Sequence, residues 1–284
     1  MRERKWDIEY KTPEQIAKMR VAGLLVAATL DRLRAAVAPG VSTAELDTLA
    51  EETIRAGGGI PSFLGYQGYP ASICSSVNSQ IVHAIPSPTA VLQDGDVISI
   101  DCGAIVDGWH GDSAITVAVG AARPDVMRMA EIAEEAMWAG ITAAARGVRS
   151  GRGRLTDVSF AIQSAVRQGG RYGIVDGYGG HGIGSEMHQD PFVLNYGRPG
   201  RGPALTPGLC IAIEPMITLG RPKTLELDDG WTVVTADGSP AVHVEHTIAI
   251  CADGVWVLTA PDGGRGRLGD LSARAALTDS SRQT

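Results

Sequence analysis

Only four cysteines occur among the 284 residues, and none of Cys74, Cys102, Cys210 and Cys251 stands in a C-x-x-C spacing. That scarcity excludes a disulfide framework and a cysteine zinc finger. Three of the four lie in apolar, strand-like surroundings, where a reduced, buried thiol is the usual role. Long apolar runs are missing too. The longest, Val21 to Leu30, stops at Asp31 and is too short to span a bilayer, and the opening Met1 to Asp7 has no signal-peptide core. A cytoplasmic protein without a membrane partner is expected. Positive charge is in deficit, with 25 Lys and Arg against 32 Asp and Glu and a formal net charge of -7. That balance argues against a broad nucleic-acid-binding surface and favours small or peptide partners. A hydrophobic content of 44% is ample for a substantial core.

What the chain does contain is one short phrase written twice. Gly95 to Asp101 and Gly208 to Glu214 share the pattern G-x-x-I-[SA]-I-[DE], and each is followed by a second acid that opens [DE]-x-x-I-x-[VI], at Asp112 and Glu245. Alternation along such strands turns Asp101 and Glu214 to the face opposite Ile100 and Ile213. If the two halves pack about a pseudo-twofold axis, four carboxylates converge on one centre. Converging carboxylates repel unless a cation lies between them, which is the physical case for a metal site, a dinuclear one included.

Helix signals flank these strands. Thr12-Pro13-Glu14-Gln15 combines an N-cap hydroxyl, a proline at the first helical position and a capping-box glutamine, and predicts a helix to about Val37. Ser42 with Glu45 repeats the device for a helix through about Arg55, closed by Gly57-Gly58-Gly59. Phe63 to Pro70 reads as loop, and the alternation around Ile73 to Val77 and Ile81 to His83 as strand. Pro124 to Arg146 and Thr156 to Gln168 complete the helices. Gly147 to Gly153 is read as the joint between halves, yet a shared metal site makes residues 1–262 one catalytic domain with a short N-terminal extension. Residues 263–284, rich in Gly, Arg, Ser and Ala, are expected to form a flexible tail.

Between the acid pairs stands Gly179-Gly180-His181-Gly182-Ile183-Gly184, then His188. A glycine-flanked histidine leaves room for an ion to approach, and imidazole is a common ligand of first-row metals. The order Asp101, Asp112, His181, Glu214, Glu245 resembles the type I methionine aminopeptidases of the pita-bread fold. The likeness runs from about Thr12 to Ala260. It rests on Gly65-Tyr66-x-Gly68-Tyr69-Pro70, Val82-His83-Ala84-Ile85-Pro86, Ile100-Asp101, His110-Gly111-Asp112, Gly180-His181-Gly182-Ile183-Gly184, Ile213-Glu214-Pro215-Met216 and Glu245-His246-Thr247. Type II relatives carry a long insertion between the histidine and the third acid; here Glu214 follows His181 by 33 residues. The early start of the first helix leaves no room for a zinc-binding extension, so the bacterial form is implied.

The resemblance implies an α+β pita-bread fold, with two pseudo-twofold related halves around a central antiparallel sheet. It implies a metallo-exopeptidase that removes the initiator methionine from nascent chains whose second residue is small. Asp101 and Asp112 would hold one divalent ion and His181, Glu214 and Glu245 another, with Asp112 and Glu245 shared between them. Co, Mn, Fe, Zn and Ni all suit these ligand types. Glu214 would also shuttle a proton, His83 would sit near the scissile amide and His188 would stabilise the tetrahedral intermediate. Phe63, Tyr66, Tyr69, Cys74 and Trp231 are implied as pocket residues, beside His83 and His188, while His110, His243 and His246 support the site. Gln67 stands where the family often has histidine, and Phe63 where bacterial relatives often have cysteine. A monomer with transient ribosome contact is expected. The alternatives are an Xaa-Pro-type pita-bread peptidase, a class that usually carries an extra N-terminal domain, and a non-catalytic binding module.

Overall fold

The computed structural model describes residues 6–275. Its first two helices begin where hydroxyl caps satisfy backbone donors that a helix start would otherwise leave bare. At α1 (Pro13–Ala36) the Gln15 N–H donates to Thr12 Oγ1 at 3.3 Å and the Thr12 N–H donates to Gln15 Oε1 at 2.8 Å. Ser42 and Glu45 make the same reciprocal pair at α2 (Thr43–Ala56). Both helices press on the first half of the sheet. Val26, Leu30, Leu33, Leu46 and Ile54 are buried against Ile73, Ile98 and Ile100, and each large side chain so buried contributes about 1.5–3 kcal/mol.

In the second half, α3 (Pro124–Ser150) and α4 (Leu155–Gly169) share one core: Met129, Ile141, Val158, Ile162 and Val166 bury together with Ile211, Ile213 and Ile248. This corrects the reading of Gly147 to Gly153 as the joint between halves. The helix continues through Gly147 and stops at Gly151, whose φ of 65° closes it, so that stretch only turns α3 into α4. The chain passes from one half to the other at 119–123, between the Trp109–Ala118 strand and α3.

Antiparallel strands carry the acids. Val97–Val106 pairs with Trp109–Ala118, Ile73–Val77 and Ile60–Pro61 in a four-stranded sheet. A five-stranded sheet runs Gly254–Val257, His246–Cys251, Cys210–Ile213, Gly179–Gly182, Gln189–Leu194. The sheets meet through a reciprocal backbone pair: the Glu245 N–H donates to the Ala114 carbonyl at 2.9 Å and the Ala114 N–H to the Glu245 carbonyl at 3.4 Å. Beside it, Thr247 Oγ1 donates to the Asp112 carbonyl at 2.7 Å. The second acid of each phrase therefore lies at the seam of the two halves.

Among the described residues, no helix is long and apolar enough to cross a membrane. The chain after Gly263, expected as a tail, differs from that reading as far as it is described. Arg265–Leu268 forms a helical turn, Leu268 and Ala273 are buried, and Ser272 bridges to Val255. Its few apolar residues suffice because the domain surface supplies the partner faces, a tertiary effect that periodicity does not register. Residues 276–284 lie outside the described residues.

Where α1 crosses the first sheet, a Cβ on Gly23 would stand 2.4 Å from the Leu258 carbonyl oxygen, and one on Gly111 would stand 2.6 Å from the Gly23 nitrogen. Backbone cannot retreat as a flexible side chain can, so Gly23→Ala is expected to lose about 1–3 kcal/mol. A urea midpoint unchanged from that of the parent chain would show that α1 tolerates a shift.

Candidate metal centre

Strand geometry brings the carboxylates together. Ile98, Ile100, Cys102 and Ala104 face the first core, so Asp101 takes the other face of its strand. Gly103 pairs with Asp112, which sets Asp112 diagonally across from Asp101 on that same face. In the second half Ile213 pairs with His246, and Glu214 and Glu245 each stand one residue past that ladder. Asp112 and Glu245 are 2% and 1% exposed, too enclosed for water to carry their charge.

His181 enters from the neighbouring Gly179–Gly182 strand. A Cβ on Gly180 would meet the Ala212 carbonyl oxygen at 2.1 Å and one on Gly182 the Asp190 carbonyl oxygen at 2.2 Å, so glycine on both sides lets the strands close around the imidazole. Its Nδ1 lies 3.0 Å from the Gly182 carbonyl. A carbonyl only accepts, so Nδ1 is the donor there and Nε2 is the ring atom turned toward the acids. That atom lies 3.7 Å from Asp112 Oδ2 and 3.6 Å from Glu214 Oε1, beyond hydrogen-bond reach of either. Ligand atoms of Asp112, His181 and Glu245 all fall within 4.8 Å of one another.

The buried oxygens show what the centre needs. Asp101 Oδ1, Asp112 Oδ1 and Glu245 Oε1 have no hydrogen-bond partner. Burial, joined by the neighbouring carboxylates, pushes Asp101, Asp112 and Glu245 well above the ordinary carboxylate range. Unpaired buried carboxylates are costly, and a divalent cation removes both the repulsion and the lost hydrogen bonds at once. The donor set, carboxylate oxygens with one imidazole, fits a first-row divalent metal.

Glu214 behaves differently. Burial raises its pKa, but His243, whose Nε2 lies 3.3 Å from Glu214 Oε2, outweighs burial and holds the carboxyl below its usual range. His243 responds in kind: burial pulls it down, and Glu214 brings it back above the usual imidazole value. Asn195 Nδ2 donates to the Glu214 carbonyl at 3.0 Å and fixes the backbone there.

A cavity of about 340 Å3 rises from the acids. Each pocket residue implied by the sequence lines it: Phe63, Tyr66, Tyr69, Cys74, His83, His188 and Trp231. Tyr69 packs edge-on to Trp231 with ring centroids 5.0 Å apart, and its hydroxyl donates to the Ile73 and Ala84 carbonyls. His188 Nδ1 lies 2.9 Å from the Tyr66 hydroxyl, and its ring centre is 4.2 Å from that of His181. Burial, then the nearby His181, pulls His188 down to about 3, and burial likewise lowers His83. Both imidazoles are neutral at pH 7.

Residues 17–252 match the model of metallopeptidase family M24. The chain belongs to this family. Methionine aminopeptidase 1 of Mycobacterium tuberculosis is 52% identical over 257 residues, covering 89% of this chain and 95% of that protein. Methionine aminopeptidase 1 of Bacillus subtilis is 46% identical over 249 residues, 88% of this chain and 98% of that protein. The methionine aminopeptidase structure from Rickettsia prowazekii superposes with a TM-score of 0.83 at 38% identity, over 89% of this chain and all of that one. The Xaa-Pro dipeptidase of Bacillus anthracis, at TM-score 0.68 and 22% identity over 89% of this chain and 62% of that one, shares the pita-bread fold.

This M24 chain thus brings all five sequence-predicted ligands to the floor of one cavity. His243, read as a supporting residue, supports Glu214, while His110 bonds Ser62 and His246 bonds Thr259 away from the floor. Sequence reading missed Val82, Tyr178, Met187, Phe192 and Met216 in the pocket wall. Met187 adjoins His188 and Met216 follows the Glu214-Pro215 pair, so adjacency was a usable signal; Tyr178 and Phe192 offered none.

The raised carboxyls make a stability test with a definite sign. A carboxyl whose pKa is higher folded than unfolded stabilises the fold below its unfolded pKa, and that contribution is lost as pH rises through the folded value. Metal-free protein is therefore expected to weaken as pH rises above the ordinary carboxylate range and through the raised values of these three groups. Metal-free Asp101→Asn should then exceed the metal-free parent at pH 8 by about 1 kcal/mol or more, equivalent to about 2–4 °C in Tm. Equal or lower Tm for the variant would show that the carboxylates are not in conflict.

Proposed function

We infer that this protein is a metal-dependent methionyl aminopeptidase, which hydrolyses the first peptide bond of chains that begin with methionine and continue with a small residue. One observation carries the reading: four acids and His181 form the floor of a pocket whose walls are aromatic and sulfur-bearing. An unbranched, polarizable thioether suits such walls. The high identity to methionine aminopeptidases over nearly their whole length supports the same activity.

Asp101, Asp112, His181, Glu214 and Glu245 would hold two divalent ions, with Asp112 and Glu245 shared. Such ions supply Lewis acidity and an acidified water when bound. The protein's own groups do the rest. Glu214, kept ionised by His243, accepts a proton as water attacks the carbonyl and returns it to the departing amine. With Tyr66 donating to its Nδ1, neutral His188 carries its proton on Nε2 and offers it to the developing oxyanion. His83, also neutral, faces the scissile amide. Phe63, Tyr69, Cys74 and Trp231 exclude water around the methionine side chain, which strengthens both hydrogen bonds. Ligands from both halves make residues 1–262 one catalytic unit. A cytoplasmic monomer in passing contact with ribosomes accords with action on nascent chains.

The test is product analysis after the protein, stripped and reconstituted separately with Co and Mn, meets Met-Ala, Met-Lys, Leu-Ala and Ala-Pro peptides. Metal-dependent loss of methionine from Met-Ala is expected, with Met-Lys spared. Cleavage only before proline would move the protein to the Xaa-Pro class, and no cleavage with either ion would make it a binding module. Within the site, Glu214→Gln is expected to lower kcat about 10²–10⁴-fold with some metal retained. His188→Ala is expected to lower it about 10²–10³-fold. Parent-like turnover in either variant would remove that residue's role.

A further inference from the structure

The segment ahead of α1 lies across the turn that carries His188, and its polar groups are spent on that turn. Glu9 Oε1 accepts from Ser185 Oγ at 2.7 Å, and Glu9 Oε2 accepts from the Ser185 N–H at 3.1 Å and Gln189 Nε2 at 2.8 Å. Lys11 Nζ donates to Gln189 Oε1 at 2.8 Å and lies 3.3 Å from Glu9 Oε2. The Asp7 N–H donates to Asp190 Oδ2 at 3.1 Å. The Lys11 side chain is only 1% exposed. An ammonium so enclosed is tolerated only where partners replace its water, so Lys11, Glu9 and Gln189 hold one another in a single arrangement.

This strap is itself anchored. The Lys11 N–H donates to the Gly208 carbonyl at 2.8 Å, and Ile8 packs on the larger core. Two glycines admit it. A Cβ on Gly184 would stand 2.1 Å from Lys11 Cε, and one on Gly208 would stand 2.7 Å from the Lys11 carbonyl oxygen. Both ends of the Gln189 amide are thus taken up by the strap, one residue from His188.

On the inner side of the same turn, His188 meets only the Tyr66 hydroxyl among the hydrogen bonds described for its ring. Tyr66 fixes one end of the imidazole. The His181 ring lies beside it, and the backbone between Ser185 and Gln189 that carries it is clamped by the strap from outside.

We propose that Glu9 and Lys11 are positioning residues for His188, holding through Gln189 and Ser185 the turn that aims its imidazole into the pocket. The proposal rests on the reading of His188 as the donor to the developing oxyanion. A donor displaced by a fraction of an ångström loses much of its worth in the transition state while ground-state binding of the methionine side chain is little changed.

The experiment is a double-mutant cycle on the metal-loaded full chain with a Met-Ala peptide, using Lys11→Met, His188→Ala and the double variant. Lys11→Met is expected to lower kcat about 10-fold or more, with KM within about 2-fold of the parent and metal content unchanged. In the His188→Ala background the same change should cost less than about 2-fold, because the group it positions is gone. Full additivity, or an unchanged kcat in Lys11→Met, overturns the proposal. Parent-like turnover in His188→Ala overturns the reading of His188 itself, and the strap's role with it. Should Lys11→Met fail to fold, Glu9→Gln keeps size and packing and carries the same comparison.

Discussion

The mutual repulsion of buried carboxylates is the constraint on which the molecule is arranged. Asp101, Asp112 and Glu245 place oxygens out of reach of water and of any hydrogen-bond donor, at a point where the two halves join. A fold that assembled such a cluster without a compensating cation would lose several kcal/mol per ion. The seam is strong enough to impose it because the Ala114 and Glu245 backbones exchange hydrogen bonds and Thr247 ties down the Asp112 carbonyl. Stability in this region and competence to hold metal are therefore one property.

Charge around that cluster is graded rather than uniform. His243 beside Glu214 holds that carboxyl below its usual range, while burial and their neighbours push the other acids up. His188 and His83 are kept neutral by burial beside a cation-binding floor. One carboxylate is thus held below its usual range and two imidazoles below theirs, all within one cavity. The difference comes from neighbours and enclosure, not from residue type.

Much of the architecture was legible because it rests on local rules. The Thr12 and Ser42 capping boxes fall where hydroxyl and Gln or Glu spacing put them, and strand alternation placed Asp101 and Glu214 opposite their apolar neighbours. The four acids were readable because duplication repeats both the strand pair and the acid, and His181 stood out by its flanking glycines and by the family resemblance. Two features resisted. The segment 263–275 has too little periodicity to mark a packed element, yet Leu268 and Ala273 find prepared surfaces. The turn at Gly147 to Gly153 carries the glycines of a domain joint, yet α3 and α4 belong to one core.

By itself the sequence determined the candidate ligand types, their placement on two related strand pairs and the helices that cover them, because these follow from periods of 2 and 3.6 and from contacts a few residues long. Tertiary structure alone decided which acid gains a histidine partner, which imidazoles stay neutral and which distant segment braces the His188 turn. His243 reaches Glu214 across 29 positions, and Lys11 reaches Gln189 across 178. Contacts at such separations are set by how whole sheets meet, and no local pattern of residues encodes them.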